Sequence, residues 1–411
     1  MKILMVNKFH YLKGGSEKYY FDLAKLLTEK GHEVAFFSMI DERNAKTGYK
    51  EYFVSKFDLN ASSKLKFLDV IYSRKNKKIM ENVLDEFKPD IVHLNNFQRQ
   101  LSASIISPIK KRNIPIVFTA HDVQAICPAI TMLDSNKNSC EDCICGNYIN
   151  CIKKNCIKSS KLKSILGAAE ARYYRNKRIY TKQIDYIITP SEFYREKFIK
   201  DGINKNKLEA IHNFINTSDY NLNITDDGYA LYFGRLSKEK GILNLLVAFS
   251  KLNVGKLHIA GIGEEKDTIE KFIKQEKLSN RVKLLGFLNK NEMKEEIRKC
   301  KFVVVPSIWY ENCPYSIIES LAIGKPVIGS NMGGIPELVD NGKCGFIYEA
   351  NDIDDLSYKM KKLFDDDKLV MKFGKNAKEK TKKLYSEEIY YKRIMQIYSN
   401  LIKEKCHNEQ K

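Results

Sequence analysis

The chain has 411 residues, more than a single hydrophobic core serves well, so two domains are expected. A hydrophobic fraction of 43% suits a folded globular protein, and no apolar run reaches the roughly 18 residues that a membrane-spanning helix needs. The formal charge of +19 excludes an acidic, solvating chain and points toward anionic partners or surfaces.

The opening Met-Lys-Ile-Leu-Met-Val-Asn is too short and too soon interrupted for a secretory signal. It reads as a first buried strand, and the protein is expected in the cytoplasm. Gly14 and Gly15 follow and open a helix over 16–28, where backbone amides can approach an anion; such a pair is also an ordinary bend. Further strands are predicted at 33–37, 91–94, 116–119 and 186–189. His121 directly follows the strand 116–119, as a structural histidine or a catalytic one, with Asp122 placed to orient its ring.

Ten cysteines are many for a reducing compartment, and six fall between Cys127 and Cys156. The spacing of Cys140, Cys143, Cys145, Cys151 and Cys156 is compatible with structural zinc or an iron–sulfur site, or with ordinary reduced thiols. From Lys153 to Lys182 ten cations stand against Glu170 alone, interleaved with Leu162, Ile165, Leu166, Tyr173 and Tyr174. This is the pattern of a basic helix lying on an anionic membrane, or of a solvated face over a buried one. A second such stretch runs over 64–80.

A polar, turn-rich boundary is expected at 211–227. Strands resume at 229–233, 256–260, 281–285, 302–306 and 327–329, and closing helices begin near Asp352 and Ser386. Strands alternating with amphipathic helices predict an α/β chain of two parallel, doubly wound sheets. The stretch from His258 to Lys266 begins like a dinucleotide fingerprint, but Lys266 occupies the third glycine position. Asp352 to Asp354 opens a helix and reads as capping charge.

Three segments of the second half carry chemistry. Gly-Arg-Leu-Ser-Lys-Glu-Lys-Gly spans 234–241, Glu-Asn-Cys-Pro-Tyr-Ser-Ile-Ile-Glu spans 311–319, and Asn-Met-Gly-Gly-Ile-Pro-Glu spans 331–337. The middle one holds a loop and a short helix that Gly324 caps and Pro326 stops. Open parallel sheets place ligands at the carboxyl ends of their strands, where both carboxylates fall. In this order and spacing the segments resemble the donor-binding half of retaining glycosyltransferases of family 4, bacterial polysaccharide biosynthesis type, with the two-domain GT-B fold.

The resemblance implies a first, acceptor-side Rossmann-like domain over 1–212, with a Cys-rich insertion at 127–156. It implies a nucleotide-sugar domain over 213–385 and a helix over 386–411 that crosses back to the first domain, the two domains facing a cleft. It assigns Arg235 and Lys240, with Gly15, to the donor diphosphate. Lys240 is preferred over Lys238 because it directly precedes the glycine. Glu319 would accept from the ribose hydroxyls, and Gly286 and Phe287 would hold the base, although Phe287 reads equally well as core. Glu311 would meet the donor sugar, with Asn312, Cys313, Pro314, Tyr315 and Ser316 lining its site, and His121 would contact the same sugar.

The implied reaction is transfer from a UDP- or GDP-sugar to a cell-surface glycan or lipid-linked acceptor, with no cofactor required for catalysis. A related hydrolase or epimerase of nucleotide sugars would need a water-activating acid–base pair that the sequence does not place. A basic, zinc-containing nucleic-acid-binding protein leaves Arg235, Lys240, Glu311 and Glu319 unexplained, so no nucleic-acid partner is expected.

Overall fold

The computed structural model describes residues 1–57, 67–220 and 225–409. It separates into two units, one of Met1–His212 with the chain from Tyr390 onward, the other of Asn213–Ile389.

The first unit is built on seven strands: β1 (Lys2–Val6), β2 (Glu33–Met39), β3 (Lys50–Val54), β4 (Ile91–Leu94), β5 (Ile116–Thr119), β6 (Tyr186–Thr189) and β7 (Leu208–Ala210). They lie in the order β3-β2-β1-β4-β5-β6-β7, and every pairing is parallel. The central strands β1, β4 and β5 are buried nearly throughout, as a sheet covered on both faces requires. Their burial explains why continuous apolar runs mark them in the sequence. The order turns back between β1 and β4, so the loops after these two strands flank a crevice at the carboxyl edge.

The last helix, Glu387–Glu409, runs from the end of the second unit into the first. A buried polar chain fastens it there. Tyr390 bonds to the Tyr19 hydroxyl, which lies 3.1 Å from Thr119 Oγ1. Thr119 Oγ1 meets His93 Nε2 at 2.7 Å, and His93 Nδ1 meets the Tyr398 hydroxyl at 2.5 Å. Each buried polar atom in this chain has a partner, so docking the helix leaves none of them stranded.

The second unit has six strands: β8 (Tyr229–Phe233), β9 (Lys256–Ala260), β10 (Val282–Gly286), β11 (Phe302–Val305), β12 (Val327–Ser330) and β13 (Gly345–Tyr348). Their order is β10-β9-β8-β11-β12-β13, again all parallel. Leu245, Leu246, Phe249, Leu257, Phe302 and Ile328 are among the residues of its core. Here the order turns back between β8 and β11. The helix 353–365 starts at Asp352, whose side chain accepts from the Asp355 amide, as the capping reading expects.

The basic stretch resolves into a helix over Lys161–Asn176 and a short turn beyond it. Tyr174, Ile179 and Tyr180 are core, whereas Leu162 and Ile165 face solvent. Of the second basic stretch, 64–66 lie outside the described residues. Its helix Arg74–Phe87 buries Met80 and leaves its lysines on the solvent side.

Candidate active site

In the second unit the loop after β8 carries Arg235 and Lys240, and the loop after β11 carries Glu311. Both therefore open at the point where the strand order reverses. The first loop is tied to the second by two backbone features. The Ile308 amide donates to the Glu239 carbonyl at 2.9 Å. Gly241 has φ +68°, and a Cβ there would fall 1.9 Å from the Pro306 carbonyl, so only glycine lets the loop pass.

Glu311 is buried, and one of its carboxylate oxygens collects three donors. Lys240 Nζ and Ser307 Oγ each lie 2.6 Å from Oε1, and Trp309 Nε1 lies 2.9 Å away. Burial pushes this carboxyl upward, but the Lys240 charge and the hydrogen bonds outweigh it and hold Glu311 below the ordinary carboxylate range. It is thus an ionised acceptor. The Gly334 amide donates to its carbonyl at 2.8 Å, and Gly333 packs where a side chain would strike that carbonyl. The 331–337 segment therefore fixes the Glu311 backbone.

Arg235 is 61% exposed at its side chain and bonds through Nη2 to Glu239 Oε1 at 2.9 Å, an oxygen that Ser237 also reaches. The buried Tyr232 hydroxyl donates to the Arg235 carbonyl at 2.8 Å. Lys238 points to solvent, so Lys240 is the lysine of this loop that faces Glu311.

Glu319 lies on the helix Tyr315–Ile323, closed by Gly324 in the left-handed conformation. Its Oε1 accepts from the Tyr220 hydroxyl at 2.9 Å. Before the helix, Cys313 is buried and tied to Asn213, whose Nδ2 donates to the Cys313 carbonyl at 2.9 Å. Asn312, Pro314 and Ser316 are half-exposed beside it, and Tyr315 is buried. Gly286 ends β10 with φ +70°, and Phe287 beyond it is 73% exposed. The core reading of Phe287 is therefore corrected: its ring is a free surface at the carboxyl edge of the sheet.

In the first unit, Gly15 is the exposed first residue of the helix Gly15–Glu29, and Gly14 offers no side-chain cap. Glu17 in its first turn is buried, and burial raises its carboxyl above the usual range. His121 follows β5 and bonds through Nε2 to Asn95 Oδ1 at 2.9 Å. Burial lowers the ring to about 3, so it is neutral. Asp122 does not orient it. That carboxylate instead accepts from the Gln124 amide at 2.9 Å, and Asn95, next after β4, holds the ring.

The cysteines divide. Cys140, Cys143, Cys151 and Cys156 line one small cavity together with Cys127, which the spacing argument had left out. Cys145 stands apart, exposed, with φ +65° and its thiol 3.2 Å from the Lys200 carbonyl. Burial and then the neighbouring Cys127 push the Cys143 thiol up to about 12. Among the described residues, no three or more His, Cys, Asp or Glu side chains are arranged to hold a metal ion. Cys145 thus lies apart from the other four of the expected set, and Cys143 and Cys151 pack with Tyr148, Ala168 and Ala171 as an apolar cluster.

Sequence reasoning missed Glu239, Ser307, Trp309, Tyr220, Asn95 and His93. Glu239 had a signal, four residues after Arg235. Ser307 and Trp309 lie within four residues of Glu311 in its own loop, whereas Tyr220, Asn95 and His93 pair with residues distant in sequence.

Two family models match the chain: Glycosyltransferase Family 4 over residues 13–219, and Glycosyl transferases group 1 over residues 215–380. An uncharacterised glycosyltransferase of Methanocaldococcus jannaschii is 26% identical, over 98% of this chain and 99% of that protein. Among solved structures, a sucrose-phosphate synthase from Thermosynechococcus elongatus superposes with TM-score 0.75 at 19% identity, covering 98% of this chain and 99% of that one. HepE of Anabaena, solved in complex with UDP, gives 0.72 at 18% identity, over 97% and 100%. These likenesses identify the two Rossmann-like units as the GT-B fold, and the chain belongs to glycosyltransferase family 4.

Proposed function

We propose that this glycosyltransferase moves a sugar from a UDP- or GDP-sugar to a surface glycan or lipid-linked acceptor, with retention at the anomeric carbon. The observation that carries the reading is Lys240 with Arg235 at the strand-order reversal of the second unit, each held by a buried carboxylate. The bond from the anomeric carbon to the diphosphate breaks, and the departing diphosphate gains charge. Fixed cations stabilise that state more than the intact donor, so no divalent metal is needed in this reading. Arginine supplies a planar fork for phosphate oxygens and lysine a compact point charge.

Glu311, ionised and rigidly held, accepts from a donor-sugar hydroxyl, and Glu319 accepts from the ribose. Phe287 offers its exposed face to the base. With its Nε2–H donated to Asn95, the neutral His121 ring accepts through Nδ1 without adding charge near the reacting carbon. The acceptor oxygen forms the new bond, and its proton leaves with the diphosphate. The solved UDP complex of the similar Anabaena protein supports a uridine donor. A screen of UDP- and GDP-sugars for slow hydrolysis or transfer, with the product anomer read by NMR, tests the proposal. Turnover with inversion, or none of these donors bound, overturns it.

A further inference from the structure

One oxygen of Glu311 is crowded and the other is bare. A carboxylate oxygen offers about two lone-pair sites to hydrogen-bond donors. Lys240 Nζ, Ser307 Oγ and Trp309 Nε1 all converge on Oε1, at 2.6, 2.6 and 2.9 Å. Among the described residues nothing donates to Oε2. Ser307 and Trp309 are therefore enough to fill Oε1, and Lys240 is one donor beyond what it needs.

The three donors differ in what holds them. Ser307 is 1% exposed, and its carbonyl accepts from Ser330 Oγ at 2.6 Å. The Ile308 amide is tied to the Glu239 carbonyl, and the Glu311 carbonyl to the Gly334 amide. Ser307 and Trp309 thus sit in a stretch braced at both ends by neighbouring segments. Lys240 reaches the same oxygen from another loop on a flexible stem, and its ammonium also lies 5.3 Å from the centre of the Trp309 ring. Of the three, it is the one that can turn to a second anion without the backbone moving.

The charges around Glu311 leave this choice to Lys240, the cation that faces it. Tyr232 of β8 also lies near the carboxylate, and burial keeps it neutral. Arg235 and Glu239 are paired with each other beside Tyr232. The 331–337 segment meets Glu311 through the backbone of Gly333 and Gly334.

We infer that Ser307 and Trp309 are positioning residues that free Lys240 for the donor: when a nucleoside diphosphate binds, Lys240 turns from Glu311 to the diphosphate, and the hydroxyl and the indole stay to fill Oε1. Glu311 then keeps both its place and its ionised form, with Oε2 open to a sugar hydroxyl. The inference rests on the donor reading for the identity of the anion. Without those two donors, the turn of Lys240 would leave a buried carboxylate bare beside a diphosphate, and it would take up a proton. In such a variant Lys240 still holds Glu311 ionised in the free protein, whereas burial and the phosphate charge raise its carboxyl in the complex. Binding then draws in a proton between those two values, so affinity improves as pH falls.

The test is UDP binding to the full chain by calorimetry from pH 5 to 8, in buffers of differing ionisation enthalpy so that protons taken up are counted. The terminal phosphate of UDP titrates with every form, so each variant is read as a difference from the unaltered chain. Ser307→Ala/Trp309→Phe is expected to lose about tenfold for UDP at pH 8, the loss narrowing toward pH 5, and to take up about one additional proton. Ser307→Ala alone, the milder change to the fold, shows the same trend in part. Adding Glu311→Gln abolishes the additional proton and so assigns it. In the unaltered chain, UDP should change the emission of Trp309, the one tryptophan, as the ammonium leaves its ring. An affinity loss equal at every pH, with no additional proton, would reduce Ser307 and Trp309 to structural roles. Emission unchanged at saturation would leave Lys240 on Glu311. Either result overturns the inference while UDP still binds, whereas an unaltered chain that binds neither UDP nor GDP overturns the donor reading and this inference with it.

Discussion

Lys240 Nζ and Glu311 Oε1 stand 2.6 Å apart although 71 residues separate them, joining the loop after β8 to the loop after β11. The pair is largely buried, so removing one member strands the other. Lys240→Met is expected to destabilise the fold by about 3 kcal/mol because it leaves the Glu311 charge uncompensated. Lys240→Met/Glu311→Gln should recover much of that loss, a coupling that urea unfolding of all four forms measures. The Glu311 contribution is full above the ordinary carboxylate range and falls away as pH drops through its lowered folded value. Additive losses in the cycle would mean that the two groups do not interact.

Glu319 is expected to discriminate for the ribose once Tyr220 yields its hydrogen bond. Tyr220→Phe removes the competing donor, so its UDP affinity should equal or exceed that of the unaltered chain. Glu319→Ala should lose about ten- to a hundredfold for UDP, on the order of the 1.5–3 kcal/mol of a charged hydrogen bond, yet lose little for 2′,3′-dideoxy-UDP. Calorimetry with both nucleotides decides. Equal losses for the two would remove Glu319 from the ribose.

Much of this architecture is legible in the sequence, and the reason is burial. β1, β4, β5, β8, β9 and β11 lie inside their sheets and read as short apolar runs. β3, β7 and β13 escape because they are edge strands: Lys50–Val54 is mostly half-exposed, and Leu208–Ala210 has three residues. In the site, Arg235, Lys240, Glu311 and Glu319 stand out through their spacing around glycines and strand ends. Their partners do not. Ser307 and Trp309 are ordinary residue types that meet the Glu311 carboxylate only because their shared loop folds back on itself, and Tyr220 reaches Glu319 across 99 residues. His93 sits in Ile-Val-His-Leu and looks like a polar interruption of a strand, until Thr119 and Tyr398 supply both of its partners. Among the cysteines, spacing alone does not show which of them come together. Cys145 has the right spacing, but its left-handed backbone turns it toward Lys200.

Thiol chemistry should follow that division. A maleimide applied briefly to the native, reduced chain is expected to modify the exposed Cys145 and Cys406 first. Cys143 and Cys151 should react only on unfolding, since burial hinders access and keeps them protonated. Intact-mass spectrometry of native and denatured protein, with Cys145→Ser as control, reads this directly. Stoichiometric zinc in freshly purified protein, released together with early protection of Cys140 and Cys156, would show that the cluster rearranges around a metal instead.

Buried neutral histidines give the fold a defined pH dependence. Burial lowers both His93 and His121 to about 3. The unfolded chain takes up protons on such rings near pH 6.5, so it binds more protons than the folded one at every pH between these values. Stability contributed by the two rings is therefore complete above about pH 7 and is lost progressively as the medium is acidified toward 3. For His93, fully enclosed between Thr119 and Tyr398, the slope approaches about 1.4 kcal/mol per pH unit below pH 6. His93→Gln should flatten the acid limb of a urea-midpoint series by that amount, even though its stability at pH 7 also falls through the broken hydrogen bonds. Tyr398→Phe should keep the limb's sign while losing about 1–3 kcal/mol at neutral pH, because His93 Nδ1 is then left buried without a partner. In the catalytic setting the same physics predicts no titration of His121 between pH 5 and 8, by NMR of its ring protons or as a limb in the rate profile. A His121 resonance, assigned by its loss in His121→Gln, that moves with a midpoint near 6.5 would show an open, hydrated ring and remove the neutral acceptor from the mechanism.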